Sequence, residues 1–443
     1  MKFFIRFTAI IGLIVLPACD FLELRQVYRA KADIPPARQT CQLGQFQIPQ
    51  GVLDTAFNGT GFFTADLVNG DARLMSAVLT PDCEVIAAVT HSEVGNYKYA
   101  LIKMKLNGEL DKTFGVEGVQ EFPITNCALG VGVWGVNAIA LQEDNKLIFS
   151  YCQNNNMITR RLFLDGSTDV TFGDTGVAKL KIAQQITIPE SVAIQKDGKI
   201  LITGHVGNTN WTAKQFLVRY LTDGTLDPDF LNAGIVITQI PGTTNIGKAL
   251  VLDADQNIYV QGSSELGGDF TVTKYLPTGY LDAYFGQKGV VTVDIGTQDL
   301  ASGIAITSDN KILVAGVVDS TTYGAFRLLM DGTLDSSFGT NGVATYASSI
   351  GNLYNFYGYS RFFIQENGET ILSSFSANYA ITMIRFDEFG NPLTFGGVYE
   401  KLWDFGHYTG YANIVIPLPD GRIFAGTGIG AGSVYHSLFY LIK

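Results

Sequence analysis

The sequence predicts an all-β chain: a seven-bladed β-propeller of four-stranded antiparallel sheets, closed by an N-terminal outer strand that joins the C-terminal blade. Three observations predict it. A phrase built on Leu-Asp-x-x-Phe-Gly returns along the chain, with its phenylalanines at 57, 114, 172, 230, 285, 338 and 395, a period of 53 to 58 residues. Each period also holds an apolar run, a polar turn and a second apolar run, as at 192–202 and 304–314. Finally, the repeats begin midway through a unit, at Gly51, and end midway, after a hairpin around Asp420-Gly421 and a third strand over 434–442. The two ends therefore complement each other within one sheet.

Composition agrees. Gly supplies 49 of 443 residues, about 11% against a usual ~7%, while Pro stands at only 13. Many turns without Pro-rich linkers suit short, regularly connected strands. Hydrophobic residues make up 47% and charged residues 16%, so the chain has the apolar material to fold. A formal net charge of −11 excludes a nucleic-acid partner, because phosphate binding needs a basic face. Collagenous, coiled-coil and multi-pass membrane classes are excluded too.

Taken in chain order, Lys2 and Arg6 precede an apolar run over 9–16 that is too short to span a bilayer as a helix. Leu16-Pro17-Ala18-Cys19 follows. These residues resemble a bacterial lipoprotein signal with its lipobox. The resemblance implies cleavage before Cys19, acylation of its thiol and new amine, and near-permanent attachment to a membrane through the acyl chains. Residues 1–18 are accordingly read as a signal peptide, 19–50 as a lipidated tether containing Pro35-Pro36, and 51–443 as the propeller. The body is placed in the bacterial cell envelope, in the periplasm or on the cell surface, with the membrane left open.

Each repeat then supplies four strands. The first two form a hairpin whose turn falls near Asp82, Asp144, Asp197, Asp255, Asp309, Asn367 or Asp420, residues that tolerate positive φ. A third strand such as 325–330 ends at Asp331-Gly332, and a fourth follows the Phe-Gly phrase, as at 342–346. A linear solenoid would need polar caps at both ends. Closing the ring with the segment at 61–64 instead removes two exposed sheet edges.

The repeated side chains read as scaffold. A basic residue precedes the motif aspartate by eight positions in Lys103/Asp111, Arg161/Asp169, Arg219/Asp227, Lys274/Asp282 and Arg327/Asp335. The turn between them predicts an ion pair, or a carboxylate accepting turn N–H groups. The phenylalanines are expected to plug the space between sheets. Arg385 lacks its aspartate because Leu393 stands there, so that blade is expected to be looser. The full phrase, Gly-x-Leu-Asp-x-x-Phe-Gly-x-x-Gly from Gly51 onward, resembles the delta-60 repeat family of bacterial surface and exported proteins. That resemblance implies a propeller and no common activity. Departures are Asn58 and Leu231 for the glycine after Phe, Ser167-Thr168 before Asp169, and Thr394.

No Gly-rich phosphate loop, metal-spaced His pair or Gly-x-Ser-x-Gly elbow occurs, and no catalytic residue, metal or cofactor is assigned. Asp253, Asp255 and Asn257 imitate the start of a calcium loop, but Ile258 and Ser264 stand where Gly and Glu are needed. With Cys19 set aside, four cysteines allow three pairings. Their places in the blades favour Cys127–Cys152 within one sheet and Cys41–Cys83 fastening the tether to the body.

The connections between blades, and those joining second to third strands, emerge on one face and are aromatic: Trp134, Trp211, Tyr354, Phe356, Tyr357, Tyr359, Trp403, His407, Tyr408 and Tyr411, with His91 and His205. Rings with polar tips suit protein or sugar contacts. The reading is a membrane-anchored, non-catalytic binding or scaffold module with a monomeric body. It contacts an envelope protein or polysaccharide through Trp134, Trp211, Tyr354, Tyr357, Tyr359, Trp403, His407 and Tyr408. The alternative is a carbohydrate-active or other envelope enzyme using Glu190 and Asp299 at the channel mouth.

Overall fold

A computed structural model describes residues 52–65, 72–93, 96–123, 127, 138–207, 213–240, 245–264, 268–354, 361–365, 368–376, 381–403, 413–431 and 434–442. The chain divides into two compact units, Met1–Ala37 and Arg38–Lys443, and every described residue belongs to the second. The signal and tether expected over 1–18 and 19–50 lie outside the described residues.

Seven antiparallel sheets follow one another, so the chain is a seven-bladed β-propeller. Blades 1 to 6 span 72–123, 138–180, 187–238, 245–293, 299–347 and 353–403, each running from first strand to fourth. Blade 7 takes three strands from 413–442 and its fourth, Phe62–Ala65, from the other end of the chain. Phe62 lies opposite Tyr440 and Ala65 opposite Ser437. A bridge between Leu53 and Ile442 extends this closure, and Arg422 Nη1 reaches Asp54 Oδ2 at 2.9 Å. First strands of neighbouring blades touch all the way round, which places them about the axis.

The repeat motif stitches blade to blade. All seven motif phenylalanines are buried. In blade 5, Arg327 Nε meets Asp335 Oδ2 at 2.7 Å while Asp335 Oδ1 accepts from Ser337 N and Oγ. Both expected roles of the aspartate are therefore filled. The guanidinium lies 4.9 Å from the Phe338 ring centroid and donates through Nη1 to Glu388 O of blade 6 at 2.6 Å. Arg161 and Arg219 repeat this arrangement, on Thr222 O and Pro277 O of the following blades. A lysine at the start of the second strand adds a second cation: Lys311 lies 2.9 Å from Asp335 and Lys146 3.3 Å from Asp169.

Glycine is required where blades meet. Gly173 has φ +55°, donates to Asp223 O of the next blade, and a Cβ there would sit 2.3 Å from Val177 O. Leu231 stands at this position in blade 3, where the left-handed φ falls one residue later, on Asn232 at 54°.

Blade 6 is irregular. Its first strand is split into Leu353–Tyr354 and Arg361–Ile364, and its fourth into Pro392–Leu393 and Glu400–Trp403. Arg385 is not left without a carboxylate: Glu369 Oε2 is bonded to Nη2, and Thr394 O accepts from Nη1 at 3.0 Å. Glu369 occupies the turn position that Lys146, Lys199 and Lys311 hold elsewhere, as the shared backbone pairing of Gln365 N to Glu369 O and Thr307 N to Lys311 O shows. Glu84 holds the same position in blade 1, where it meets Lys103 beside Asp111; in blade 6 the turn glutamate meets the arginine without the aspartate.

Candidate functional site

The face carrying the interblade loops is the sequence-derived candidate. Trp134, Trp211, Tyr357, Tyr359, His407 and Tyr408 lie outside the described residues, as do Phe356 and Tyr411. Tyr354 pairs with Phe375, and Trp403 with Ile381, so both stand at strand ends. Of the histidines assigned to that face, His91 and His205 are buried: His91 Nε2 lies 3.0 Å from Glu121 Oε1, and His205 Nδ1 lies 3.4 Å from Glu190 Oε1. Burial of an imidazole against a carboxylate makes a packing contact of what the sequence offered as a loop ligand.

Glu190 and Asp299 are the acidic residues expected at the channel mouth. First strands of blades 1, 3, 4 and 5 each slip register once, leaving Met75, Glu190, Lys248 and Ser302 as the inserted residues. Such a bulge re-aims one side chain per strand. Glu190, so placed, is buried between His205 and Lys248 Nζ, the latter at 3.8 Å from blade 4. Asp299 has no exposed surface, and its Oδ2 accepts from Ile295 N at 2.9 Å, pinning the loop that enters blade 5. Burial, reinforced by the neighbouring carboxylates Asp294, Asp269 and Asp319, pushes its carboxyl up to about 6. Half-buried positions on the first strands mix small or hydroxylated residues, such as Ser76, Ala77, Ser191, Ala193, Ala249 and Ala305, with larger aliphatic ones such as Val78, Val192 and Ile304.

The calcium-like segment is used internally. Asp253 Oδ1 accepts from Asp255 N and Asn257 N, and its Oδ2 from Asn257 Nδ2 and Tyr259 Oη. Among the described residues no group of three or more His, Cys, Asp or Glu side chains is arranged to hold a metal ion. No helix among them is long and apolar enough to cross a membrane.

Cys127 and Cys152 form a disulfide with Cα atoms 6.0 Å apart, packed against Ile186 and Ile188. It ties the loop entering blade 2 to the end of that blade's second strand. Cys83, in the first hairpin turn, is also disulfide-bonded. Cys41, its expected partner, and Cys19 lie outside the described residues.

A β-propeller family model, a domain of unknown function (DUF5122), matches residues 195–230 and 307–338. Each match runs from a first hairpin turn to a motif phenylalanine, the part of blades 3 and 5 that holds the arginine–aspartate pair. The match supports a β-propeller family. Solved structures similar to this propeller include a streptogramin B lyase at 12% identity and TM-score 0.48, covering 85% of this chain and 97% of that one. A protein of unknown function from Dyadobacter fermentans aligns at 10% identity and TM-score 0.43, covering 86% and 99%. The WD40 domain of Toxoplasma gondii coronin aligns at 8% identity and TM-score 0.46, covering 90% and 89%. No curated protein matches the chain.

Sequence reasoning missed two features of the described blades. The carboxylate at Glu369 was legible, since a glutamate stands where three other turns carry lysine. A cavity between blades 5 and 6 carries no sequence signal, because it arises from how two sheets meet.

Proposed function

We propose that this propeller is a non-catalytic binding or scaffold module of a bacterial cell envelope, held to a membrane by acyl chains on Cys19. Its partner is an envelope protein or polysaccharide, engaged by the aromatic loops that carry Trp134, Trp211, Tyr357, Tyr359, His407 and Tyr408, with Tyr354 and Trp403 at their bases. The repeat phrase, similar to that of the delta-60 propellers, and the lipobox at Leu16-Pro17-Ala18-Cys19 support export.

One observation favours binding over catalysis. The two acidic residues best placed for acid–base work are committed to the scaffold, Glu190 to His205 and Lys248 and Asp299 to Ile295 N. An enzyme of this kind needs carboxylates converging on an open pocket.

The test is capture of envelope proteins and glycan-array binding by the lipid-free body, wild type against Trp211→Ala/Tyr357→Ala. Lost binding at unchanged thermal stability supports the reading, whereas loss of folding assigns those rings to loop packing. Turnover of an envelope glycan that is abolished by Asp299→Asn would replace it with the enzyme. Radiolabelled palmitate incorporation that persists in Cys19→Ser would remove the anchor.

A further inference from the structure

On the face of the hairpin turns, blades 5 and 6 part to leave a cavity of about 580 Å³. Small-molecule sites run from roughly 300 to 1,000 Å³. Ile304 and Ile306 from the first strand of blade 5 and Phe362 and Ile364 from that of blade 6 share its lining about equally with polar groups, among them Arg327 and Asp387. Asp309 and Glu388 stand at its exposed edge.

Two polar residues that line it are unusual. Gln365 is 6% exposed and neither Oε1 nor Nε2 has a hydrogen-bond partner; Thr370 is 1% exposed and its Oγ1 has none. Buried polar groups are almost always paired, and leaving one unpaired is costly. At the Gln365 position of other blades, Thr307 Oγ1 accepts from Lys311 N at 2.9 Å and Gln195 Oε1 from Arg219 Nη1 at 3.5 Å, whereas Gln142 Oε1 of blade 2 is likewise without a partner. In blade 6 the corresponding guanidinium, Arg385, is bonded to Glu369 and Thr394 O.

We infer that this cavity is a binding site for a neutral polyhydroxylated ligand, a saccharide unit of one or two rings. The carboxamide offers a donor and an acceptor without net charge, which suits a pair of neighbouring hydroxyls. The Thr370 hydroxyl and the Asp309 and Glu388 carboxylates extend the polar set, and the Phe362 ring and isoleucines suit the C–H face of a sugar. The orphaned atoms are covered by protein. Engagement therefore requires the Gln365 side chain to swing toward the cavity, a movement that forfeits no hydrogen bond.

The site is distinct from the aromatic loops, so it stands or falls separately from them. Maltose, cellobiose and N,N′-diacetylchitobiose are titrated calorimetrically into the folded chain, with n-butylammonium as the cationic comparison. At least one disaccharide is expected to bind saturably, and Gln365→Leu or Thr370→Val to weaken it about tenfold or more with Tm unchanged or raised. An apolar replacement of an unpaired polar group does not lower stability, so the variants remain interpretable. Trp211→Ala/Tyr357→Ala is expected to leave this binding intact. No disaccharide binding up to about 10 mM, binding of the amine instead, undiminished binding by Gln365→Leu/Thr370→Val, or loss of binding in the loop variant would each overturn the assignment.

Discussion

Replacing Glu369 by lysine, the residue found at the same turn position in blades 2, 3 and 5, tests whether charge or sequence similarity governs the staple. Arg385 is 3% exposed at its side chain and Glu369 17%. Glu369→Lys removes that carboxylate and sets a second cation beside a buried guanidinium. Breaking a buried pair by removing one partner costs about 3–5 kcal/mol, and the partial exposure of Glu369 argues for the lower end, about 3 kcal/mol. Leu393 lies opposite Arg385 across the third and fourth strands, the place Asp335 takes beside Arg327. Leu393→Asp in the Glu369→Lys background therefore rebuilds the arrangement in which Lys311 and Arg327 flank one carboxylate. The double variant is expected to recover at least half of the loss, a coupling of about 1.5 kcal/mol or more. Urea denaturation of the four proteins measures it, with an unchanged m-value as the check that only stability moved. A Glu369→Lys cost under about 1 kcal/mol, or no rescue by Leu393→Asp, would refute this role of Glu369.

Further outcomes follow from other blades. Asp299 holds its proton to about pH 6, above its unfolded value, so its neutral form favours the native state and stability falls as pH rises from about 4 through 6. Asp299→Asn is expected to stabilise by about 1–2 kcal/mol at pH 8 and to lose that advantage below pH 5, read from paired melts. Asp111 behaves oppositely: despite burial, the Lys103 and Thr113 hydrogen bonds lower it to about 2, so its contribution is full above about pH 4 and fades as acid approaches pH 2. Asp111→Asn should therefore flatten the acid limb of stability against pH. Phe172→Ala, which empties a fully buried plug and strips the Arg161 guanidinium of its ring at 4.9 Å, is expected to cost about 3–5 kcal/mol by urea denaturation.

The fold was legible because repetition multiplied a weak local signal. One Leu-Asp-x-x-Phe phrase says little, but its return at a near-constant period fixed the blade, and the complementary half-repeats fixed the closure that Phe62 and Tyr440 make. The Arg–Asp spacing was readable for the same reason, since the turn between positions eight apart brings the two side chains together. What lay beyond the sequence depends on contacts between blades. Nothing in the residue order says that Arg327 donates to Glu388 O, that His205 folds inward onto Glu190, or that Gln365 is stranded beside a cavity. The carboxylate that Arg385 does have was missed by counting only the absent aspartate and overlooking the glutamate four residues past the start of its turn. The candidate binding face was read from loop chemistry alone, and most of its rings lie outside the described residues.

The seventh blade makes the ring a clasp. Asp54 and Arg422, 368 positions apart, meet beside the seam at which its fourth strand is seated. Synthesis from the N-terminal side would hold Phe62–Ala65 idle until nearly the entire chain has emerged, so assembly should end in a single late locking event. Mechanical tension applied upstream of Leu53 would fall first on that short seam, which can peel from the rim while the other six sheets stay whole.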